Sequence, residues 1–171
     1  KFFDVLKKHW PHMPFILEDL GDLNGNVRAF QEKLELPGMA IIQFAFEGYN
    51  NPYRPENWKK HQVVYTGTHD NNTTRGWFAE LNQDQKMAVY ETLGLKVVNE
   101  DKICSKIIPW ILRHRTTQHV VFPLQDLLNL GSEARINTPG TTTKNWQWRC
   151  TKSQLKKFSL TANFRNKKCL G

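Results

Sequence analysis

Four short apolar runs, separated by longer stretches with helical spacing, constrain the fold of this chain more than any other feature. They are largely continuous rather than alternating with polar residues, which is typical of parallel strands that are covered on both faces. Strands that alternate with helices in this way predict an α/β fold with a parallel sheet. The four runs cover residues 15–17, 39–46, 63–65 and 120–122.

Helical patterns precede and separate these runs. The predicted order is helix, strand, helix, strand, loop, strand, helices and strand, followed by a mixed end. The predicted helices comprise a stripe of Phe2, Val5 and Leu6, residues 26–34, residues 83–93 with Asn82 as N-cap, and residues 102–113 interrupted by Pro109.

The length of 171 residues fits one ordinary domain, and a hydrophobic content of 39% excludes a disordered polymer. No apolar run approaches the roughly 18 residues that a membrane-spanning helix needs, so no membrane partner is expected. The start at Lys1 is neither a signal peptide nor an initiator methionine, and it indicates a sequence that begins inside a longer one. Three widely spaced cysteines, Cys104, Cys150 and Cys169, predict free thiols rather than a disulfide framework or a zinc site.

Positive charge is concentrated towards the carboxyl terminus. The net charge is +8, no acidic residue follows Glu133, and nine of the 24 lysines and arginines do. A basic tail can bind nucleic acid through its phosphates. The segment 151–171 has helical spacing without an aromatic platform or a known basic motif. A solvent-exposed terminal helix is therefore the preferred interpretation, and nucleic-acid binding is a distant alternative.

Acidic and polar side chains follow all four apolar runs. Ligands of parallel α/β folds bind beyond the carboxyl ends of the strands, so these side chains predict a functional pocket. A single carboxylate at a strand end also fits a helix N-cap, but here four ends converge. The side chains are Glu18 and Asp19 after the first run, Glu47 after the second, His69 and Asp70 after the third, and Gln125 and Asp126 after the fourth.

Carboxylates combined with histidine, amides and aromatic rings suit a polyhydroxylated ligand such as a sugar. Glycosidic bond chemistry needs one carboxyl group as an acid and a second as a nucleophile or stabilising anion. Glu18 follows apolar residues, which favour the protonated acid, whereas Asp70 lies among amides and His69, which favour the anion. The rival interpretation is a divalent metal site, which no ligand spacing supports. Its ligands would be His69, Asp70, Asp19 and Glu47.

Five sequence blocks resemble, in unbroken order, those of the 4-α-glucanotransferases, which are the amylomaltases or disproportionating enzymes of glycoside hydrolase family 77. The resemblance extends from about Phe2 to Arg149, and its THDN and GSEAR-NTPG blocks are highly specific. The blocks read PFILEDLG, LPGMAIIQFAFEG, NNPYRPENW, VVYTGTHDNNTTRGW and VFPLQDLLNLGSEARINTPGTTTKNWQWR.

The resemblance implies the latter half, about strands five to eight, of a TIM (β/α)8 barrel related to the α-amylases. It implies that Glu18 is the general acid/base and that Asp70 stabilises the transition state. The substrate contacts that it implies are His69 at the cleavage subsite, Asp19, Asn137, and Glu47, which stands where such enzymes often carry aspartate.

The implied reaction is a retaining transfer of part of an α-1,4-glucan to the 4-hydroxyl of an acceptor, without a metal or organic cofactor. The nucleophilic aspartate of this family lies in an Arg-Ile-Asp-His-type block, which has no counterpart in these residues. The sequence is therefore expected to be a fragment that is inactive alone. Residues 1–150 would be part of the catalytic barrel, and residues 151–171 a basic helix and tail.

Two alternatives to the transferase stay open. One is a hydrolase of α-glucans from the same barrel clan, and the other is a non-catalytic carbohydrate-binding protein. Cytoplasm is expected for a bacterial source and a plastid is an option for a plant source. The oligomeric state cannot be read from the sequence.

Overall fold

The computed structural model describes residues 1–21, 23–114 and 119–161, and it shows an α/β fold built around a parallel sheet. Both pairs of neighbouring strands run parallel, with Gly38 opposite Gln62 and Val63 opposite His119. The predicted parallel sheet and three of its four predicted strands are confirmed. The strands follow the order β1-β2-β3 and cover Gly38–Ile41, Gln62–Tyr65 and His119–Val121.

Seven α-helices accompany the sheet in the described part of the chain. Two precede β1, three connect β2 to β3, and two follow β3, so the predicted alternation of helices and strands is confirmed. The helices are α1 (Phe2–His9), α2 (Gly25–Leu34), α3 (Thr74–Glu80), α4 (Gln83–Leu93), α5 (Ile103–Arg113), α6 (Leu124–Leu127) and α7 (Lys152–Thr161). Short 3-10 turns lie at Ile42–Phe44, Pro55–Asn57, Glu100–Lys102 and Ser132–Ala134.

The predicted first strand, residues 15–17, is wrong. This segment is tied to the start of β1 by a backbone hydrogen bond in which the Leu17 N–H donates to the Pro37 carbonyl at 2.8 Å. A ladder does not develop there because Pro37 has no N–H to donate. The Met39 N–H donates to the Asp19 carboxylate at 2.6 Å rather than to a neighbouring strand.

The second predicted strand is shorter than expected because β1 ends at Ile41. A 3-10 turn, Ile42–Phe44, takes over from the extended chain. The buried Gln43 amide donates to the Asn72 carbonyl at 2.8 Å. This side-chain bond ties the turn after β1 to the chain that follows β2.

The predicted helices at 83–93 and 102–113 are both present, and the first agrees with its predicted bounds. Asn82 caps α4 in a capping box with Gln85, as its sequence pattern predicted. The predicted interruption at Pro109 is wrong, because α5 continues through it. Its buried face, which includes Ile107, packs into the core, and such packing outweighs local helix propensity.

The core lies between the sheet and the three helices that connect β2 to β3. Ala40 of β1 and Val64 of β2 are fully buried. They belong to the same apolar cluster as Phe78 of α3, Val89 of α4 and Ile107 of α5. Burial of these side chains is the main contribution that holds the sheet and the helices together.

The helices α1 and α2 confirm the predicted helical segments before β1, but neither contains a buried residue. The Phe2 side chain is 69% exposed and the Phe30 side chain is 49% exposed. Phe3 and Phe30 contact each other edge to face, with ring centroids 5.6 Å apart. The apolar faces of α1 and α2 therefore contact each other at this aromatic pair and stay partly exposed.

The helix α7 confirms that helical structure follows residue 151. The remainder of the predicted basic tail, with Arg165, Lys167 and Lys168, lies outside the described residues. No helix within residues 1–21, 23–114 and 119–161 is long and apolar enough to cross a membrane.

Cys104 and Cys150 are free thiols, as the cysteine spacing predicted. Burial in the core raises the pKa of Cys104 to about 12, so this thiol stays neutral. Cys169 lies outside the described residues.

Candidate active site

A hollow of about 470 Å³ opens at the carboxyl ends of β2 and β3. Parallel sheets bind ligands at this edge, so the hollow lies where the strand ends predicted a pocket. Its lining combines an acid, an imidazole, hydroxyl and amide groups and a guanidinium. The polar side chains of the lining include Glu18, Thr68, His69, Gln125 and Arg135.

The loop between β2 and α3 is shaped by its own side chains. Asn71 Oδ1 accepts the N–H and the hydroxyl of Thr68, both at 2.8 Å. Thr73 Oγ1 accepts the Gly76 N–H at 3.1 Å and so caps α3. Asparagine and threonine stabilise turns and caps in this way. These bonds fix the backbone, while the side chains of His69 and Asp70 stay 47% and 45% exposed.

Both ends of this loop bond to one buried carboxylate, that of Asp126. The Thr66 hydroxyl donates to Oδ2 at 2.5 Å. The Thr74 N–H donates to Oδ1 at 2.7 Å, and the Thr74 hydroxyl donates to Oδ2 at 2.8 Å. Burial raises the pKa of Asp126, and the hydrogen bonds from Thr66 and Thr74 oppose that rise. Asp126 therefore joins the end of β2 to the start of α3.

Asp70 bonds to the segment that follows α6. Asn137 Nδ2 donates to Asp70 Oδ1 at 2.5 Å. Arg135 donates to the Asp70 carbonyl at 2.7 Å, and His69 Nε2 lies 3.5 Å from Asp70 Oδ1. The structure thus brings together three residues that the sequence analysis selected, His69, Asp70 and Asn137.

The His69 imidazole packs against the Trp146 indole, with ring centroids 5.1 Å apart and planes inclined by 37°. The His69 carbonyl accepts the Asn137 N–H at 3.2 Å, and the Ile136 carbonyl accepts the Trp146 N–H at 2.7 Å. Side chain and backbone of His69 are therefore both held by residues 137–146. The imidazole therefore contacts the indole while its Nε2 lies near the Asp70 carboxylate.

Glu18 and His69 line the same hollow. Asp70 is not among the lining residues, although it lies beside His69. The Glu18 side chain is exposed rather than enclosed by the apolar residues that precede it. Of the two carboxyl candidates, only Glu18 therefore lines the hollow, while Asp70 is the neighbour of a lining residue, His69.

The other two predicted contacts lie elsewhere. The Asp19 carboxylate accepts the Met39 N–H at 2.6 Å and the Gln31 amide at 2.5 Å, so it fastens β1 to α2. Glu47 is exposed and lines a second hollow of about 410 Å³, together with Trp77 and other residues. Neither Asp19 nor Glu47 lines the first hollow.

A metal site finds no support within the described ranges, where no group of three or more histidine, cysteine, aspartate or glutamate side chains is placed to hold an ion. The structure also shows two contributors that the sequence analysis did not select, Arg135 and Trp146, and it gives the strand-end residue Asp126 a structural role. Arg135 and Trp146 contact the His69–Asp70 pair, and Asp126 closes its loop. Arg135 and Trp146 fall within the last quoted sequence block, which was a signal that could have found them.

The fold and the site together define an α/β protein whose polar pocket lies beyond the carboxyl ends of parallel strands. Its particular family follows from direct comparison: the chain belongs to glycoside hydrolase family 77, since the family model described as 4-alpha-glucanotransferase matches residues 1–155. The resemblance inferred from the sequence blocks is confirmed.

Several similar proteins carry the name 4-alpha-glucanotransferase. The chain is 41% identical to the chloroplastic/amyloplastic 4-alpha-glucanotransferase of Arabidopsis thaliana over 88% of this chain and 26% of that protein. It is 39% identical to the 4-alpha-glucanotransferase of Thermus thermophilus over 91% of this chain and 32% of that protein. An amylomaltase from Streptococcus agalactiae in complex with acarbose superposes with a TM-score of 0.82 at 30% identity, over 91% of this chain and 32% of that one. The chain thus spans between about a quarter and a third of these relatives' length.

Proposed function

We propose that the protein carrying these residues is a 4-α-glucanotransferase, which moves a segment of an α-1,4-glucan to the 4-hydroxyl of an acceptor glucose or glucan. The observation that carries the proposal is the shared hollow of Glu18 and His69, with Asp70 3.5 Å from His69 and bonded to Asn137. Membership of the family and the acarbose complex of the amylomaltase neighbour support it.

In this proposal the reaction is a retaining double displacement. Glu18 protonates the departing glucan and later, as a base, takes the proton of the incoming 4-hydroxyl. Asp70 bonds to sugar hydroxyls and stabilises the positive charge of the transition state. The nucleophile is the aspartate of the family's Arg-Ile-Asp-His-type block, which these 171 residues do not contain. It forms the covalent glucosyl intermediate.

His69 and Asn137 contact the sugar beside Asp70 in the same proposal. Their imidazole and amide groups donate to and accept from hydroxyls. Asp19 would contact sugar through the lone pairs that remain beside its bonds with Gln31 and the Met39 N–H. Glu47 would contact only the part of a glucan that extends beyond the first hollow.

We also propose the place of this chain in a barrel. The three strands, with the unpaired segment 15–17 before them, would occupy about the places of strands five to eight of a (β/α)8 barrel. Residues 1–150 would belong to the catalytic domain and 151–171 would be a basic helix and tail. The plant relative is named as a chloroplastic/amyloplastic protein. A plastid is the corresponding proposal for a plant source, and the cytoplasm for a bacterial one.

Maltotriose tests the proposed function when it is incubated with the natural gene product that carries these residues. Transfer is expected to give glucose together with longer maltooligosaccharides, while the total number of reducing ends stays constant. A hydrolase would raise the number of reducing ends and give only shorter sugars. Bound but unchanged maltotriose would indicate a carbohydrate-binding protein instead.

A further inference from the structure

We propose that Arg135 is a positioning residue that fixes the Asp70–Asn137 pair in the geometry that the transfer reaction needs. This inference rests on the proposed function, because its effect is measured as transfer. Arg135 acts through the backbone of the two residues, and it is not required to touch the sugar.

The Arg135 guanidinium bridges two backbone carbonyls. Nε donates to the Asn137 carbonyl at 2.8 Å, and a terminal nitrogen donates to the Asp70 carbonyl at 2.7 Å. The side chains of these same two residues bond to each other at 2.5 Å. Backbone and side chain of Asp70 are therefore both tied to Asn137, once through Arg135 and once directly.

The bridge joins two separate parts of the site. Asp70 follows β2 and Arg135 follows α6, and 65 positions separate them in the sequence. On the β2 side, the loop is already fixed by its bonds to Asp126. The chain after α6 is held against this loop by two bonds. Arg135 donates to the Asp70 carbonyl, and the Asn137 N–H donates to the His69 carbonyl.

The geometry of this bridge requires a guanidinium rather than positive charge alone. Two of its N–H groups point in fixed, different directions and serve two acceptors at once. The planar guanidinium of Arg135 reaches both acceptors, the Asp70 carbonyl and the Asn137 carbonyl. A lysine ammonium is a point charge on a flexible stem, so it cannot hold both carbonyls in the same arrangement.

The test compares Arg135→Ala and Arg135→Lys in the natural gene product, with maltotriose as substrate. Both variants are expected to lower kcat by roughly 10- to 100-fold, because small displacements of catalytic groups cost that much. Millimolar guanidinium is expected to restore part of the kcat of Arg135→Ala, since it can occupy the vacated fork.

Arg28→Ala is the matched control. Arg28 is exposed and also donates through Nε to a backbone carbonyl, that of Leu23, at 3.1 Å. Its removal is expected to leave kcat unchanged and insensitive to guanidinium. Melting curves of all variants separate loss of fold from loss of geometry.

Each outcome separates the positioning role from its alternatives. Arg135→Lys with a kcat within about twofold of the wild type would overturn the proposal, because charge alone would then suffice. If Arg135→Ala does not fold, Arg135→Lys decides alone. A large rise in KM at unchanged kcat would also overturn it, since that pattern indicates direct substrate binding. Absence of transfer by the wild type would instead refute the proposed function.

Discussion

The two carboxyl groups assigned to the reaction are held in contrasting ways. Asp70 belongs to the region from residue 38 to 150, where its side chain and backbone are bonded to Asn137 and Arg135. Glu18 belongs to the region before residue 38, whose helices bury no residue. The first region contains the apolar core of the fold. The second region, residues 1–37, is called the margin of the fold.

The contrast shows what each region can determine by itself. The position of Asp70 follows from bonds to residues that are present here, with the loop closed by Asp126. The position of Glu18 follows from the Leu17 bond to Pro37 and from the bonds of Asp19 to β1 and α2. A substitution of Glu18 should therefore lower the rate of transfer without lowering the stability of the fold.

The largest expected effect comes from Glu18→Gln. Because loss of a general acid/base typically costs roughly 10²- to 10⁴-fold, kcat for maltotriose transfer is expected to fall by about that factor. The melting temperature should not change, since the side chain is exposed and in the margin of the fold. Transfer rates and thermal melts of the natural gene product measure both.

Glu91→Gln on α4 is the control for that comparison, because Glu91 is exposed and lines neither hollow. It should keep full activity. Near-normal turnover by Glu18→Gln would remove Glu18 from the acid/base role. A lower melting temperature of Glu18→Gln would show that the margin contributes more to stability than the exposure of its side chains indicates.

The next effect in size concerns stability and compares the two regions directly. Ile107 of α5 is fully buried, and Ile107→Ala is expected to lower the free energy of unfolding by about 2–5 kcal/mol. Val5 of α1 is 57% exposed, and Val5→Ala should change it by at most about 0.5 kcal/mol. Urea unfolding measures both, and equal losses would contradict the distinction between core and margin.

The smallest effect is a pH dependence that originates at Asp126. Burial raises the pKa of this carboxyl in the folded state above its unfolded value. The folded state then binds the proton more tightly, so the associated stability is present at acid pH and is lost as pH rises through the folded pKa. The free energy of unfolding of the wild type, relative to Asp126→Asn, should therefore fall as pH rises from about 4.

Urea unfolding of both proteins at several pH values measures this difference, which is on the order of 1 kcal/mol for each unit by which the two pKa values differ. A difference that grows with pH would mean that the hydrogen bonds from Thr66 and Thr74 outweigh the cost of burial. Asp126 would then be a stabilising anion within the folded region.

The sequence predicts most of the fold because its signals are local. Three of the apolar runs overlap the observed strands β1, β2 and β3. The Asn82 cap depends only on one side chain and the helix that follows it. The segment 15–17 has the same apolar character but did not become a strand. Pairing depends on what lies alongside a segment, and there Pro37 and the Asp19 carboxylate stop a ladder.

The sequence is less informative about the site, because contacts between distant segments decide it. His69, Asp70 and Asn137 were selected from their residue types and sequence blocks, and the structure brings them together. Asp19 has the same chemistry as Asp70 but bonds to Gln31 and to β1. A carboxylate in a sequence block does not reveal which donors surround it.

The Asp126 carboxylate, which accepts hydrogen bonds from Thr66 and Thr74, limits how this loop can vary in length. A loop whose two ends share one acceptor has a fixed span, so it tolerates replaced side chains better than inserted or deleted residues. The exposed turn near Gly140 is closed in a similar way, since Asn145 Oδ1 accepts the Thr138 N–H at 3.0 Å and the Thr141 hydroxyl at 3.4 Å. Variation among natural sequences is therefore expected as substitutions rather than gaps, both between Thr66 and Thr74 and between Thr138 and Asn145.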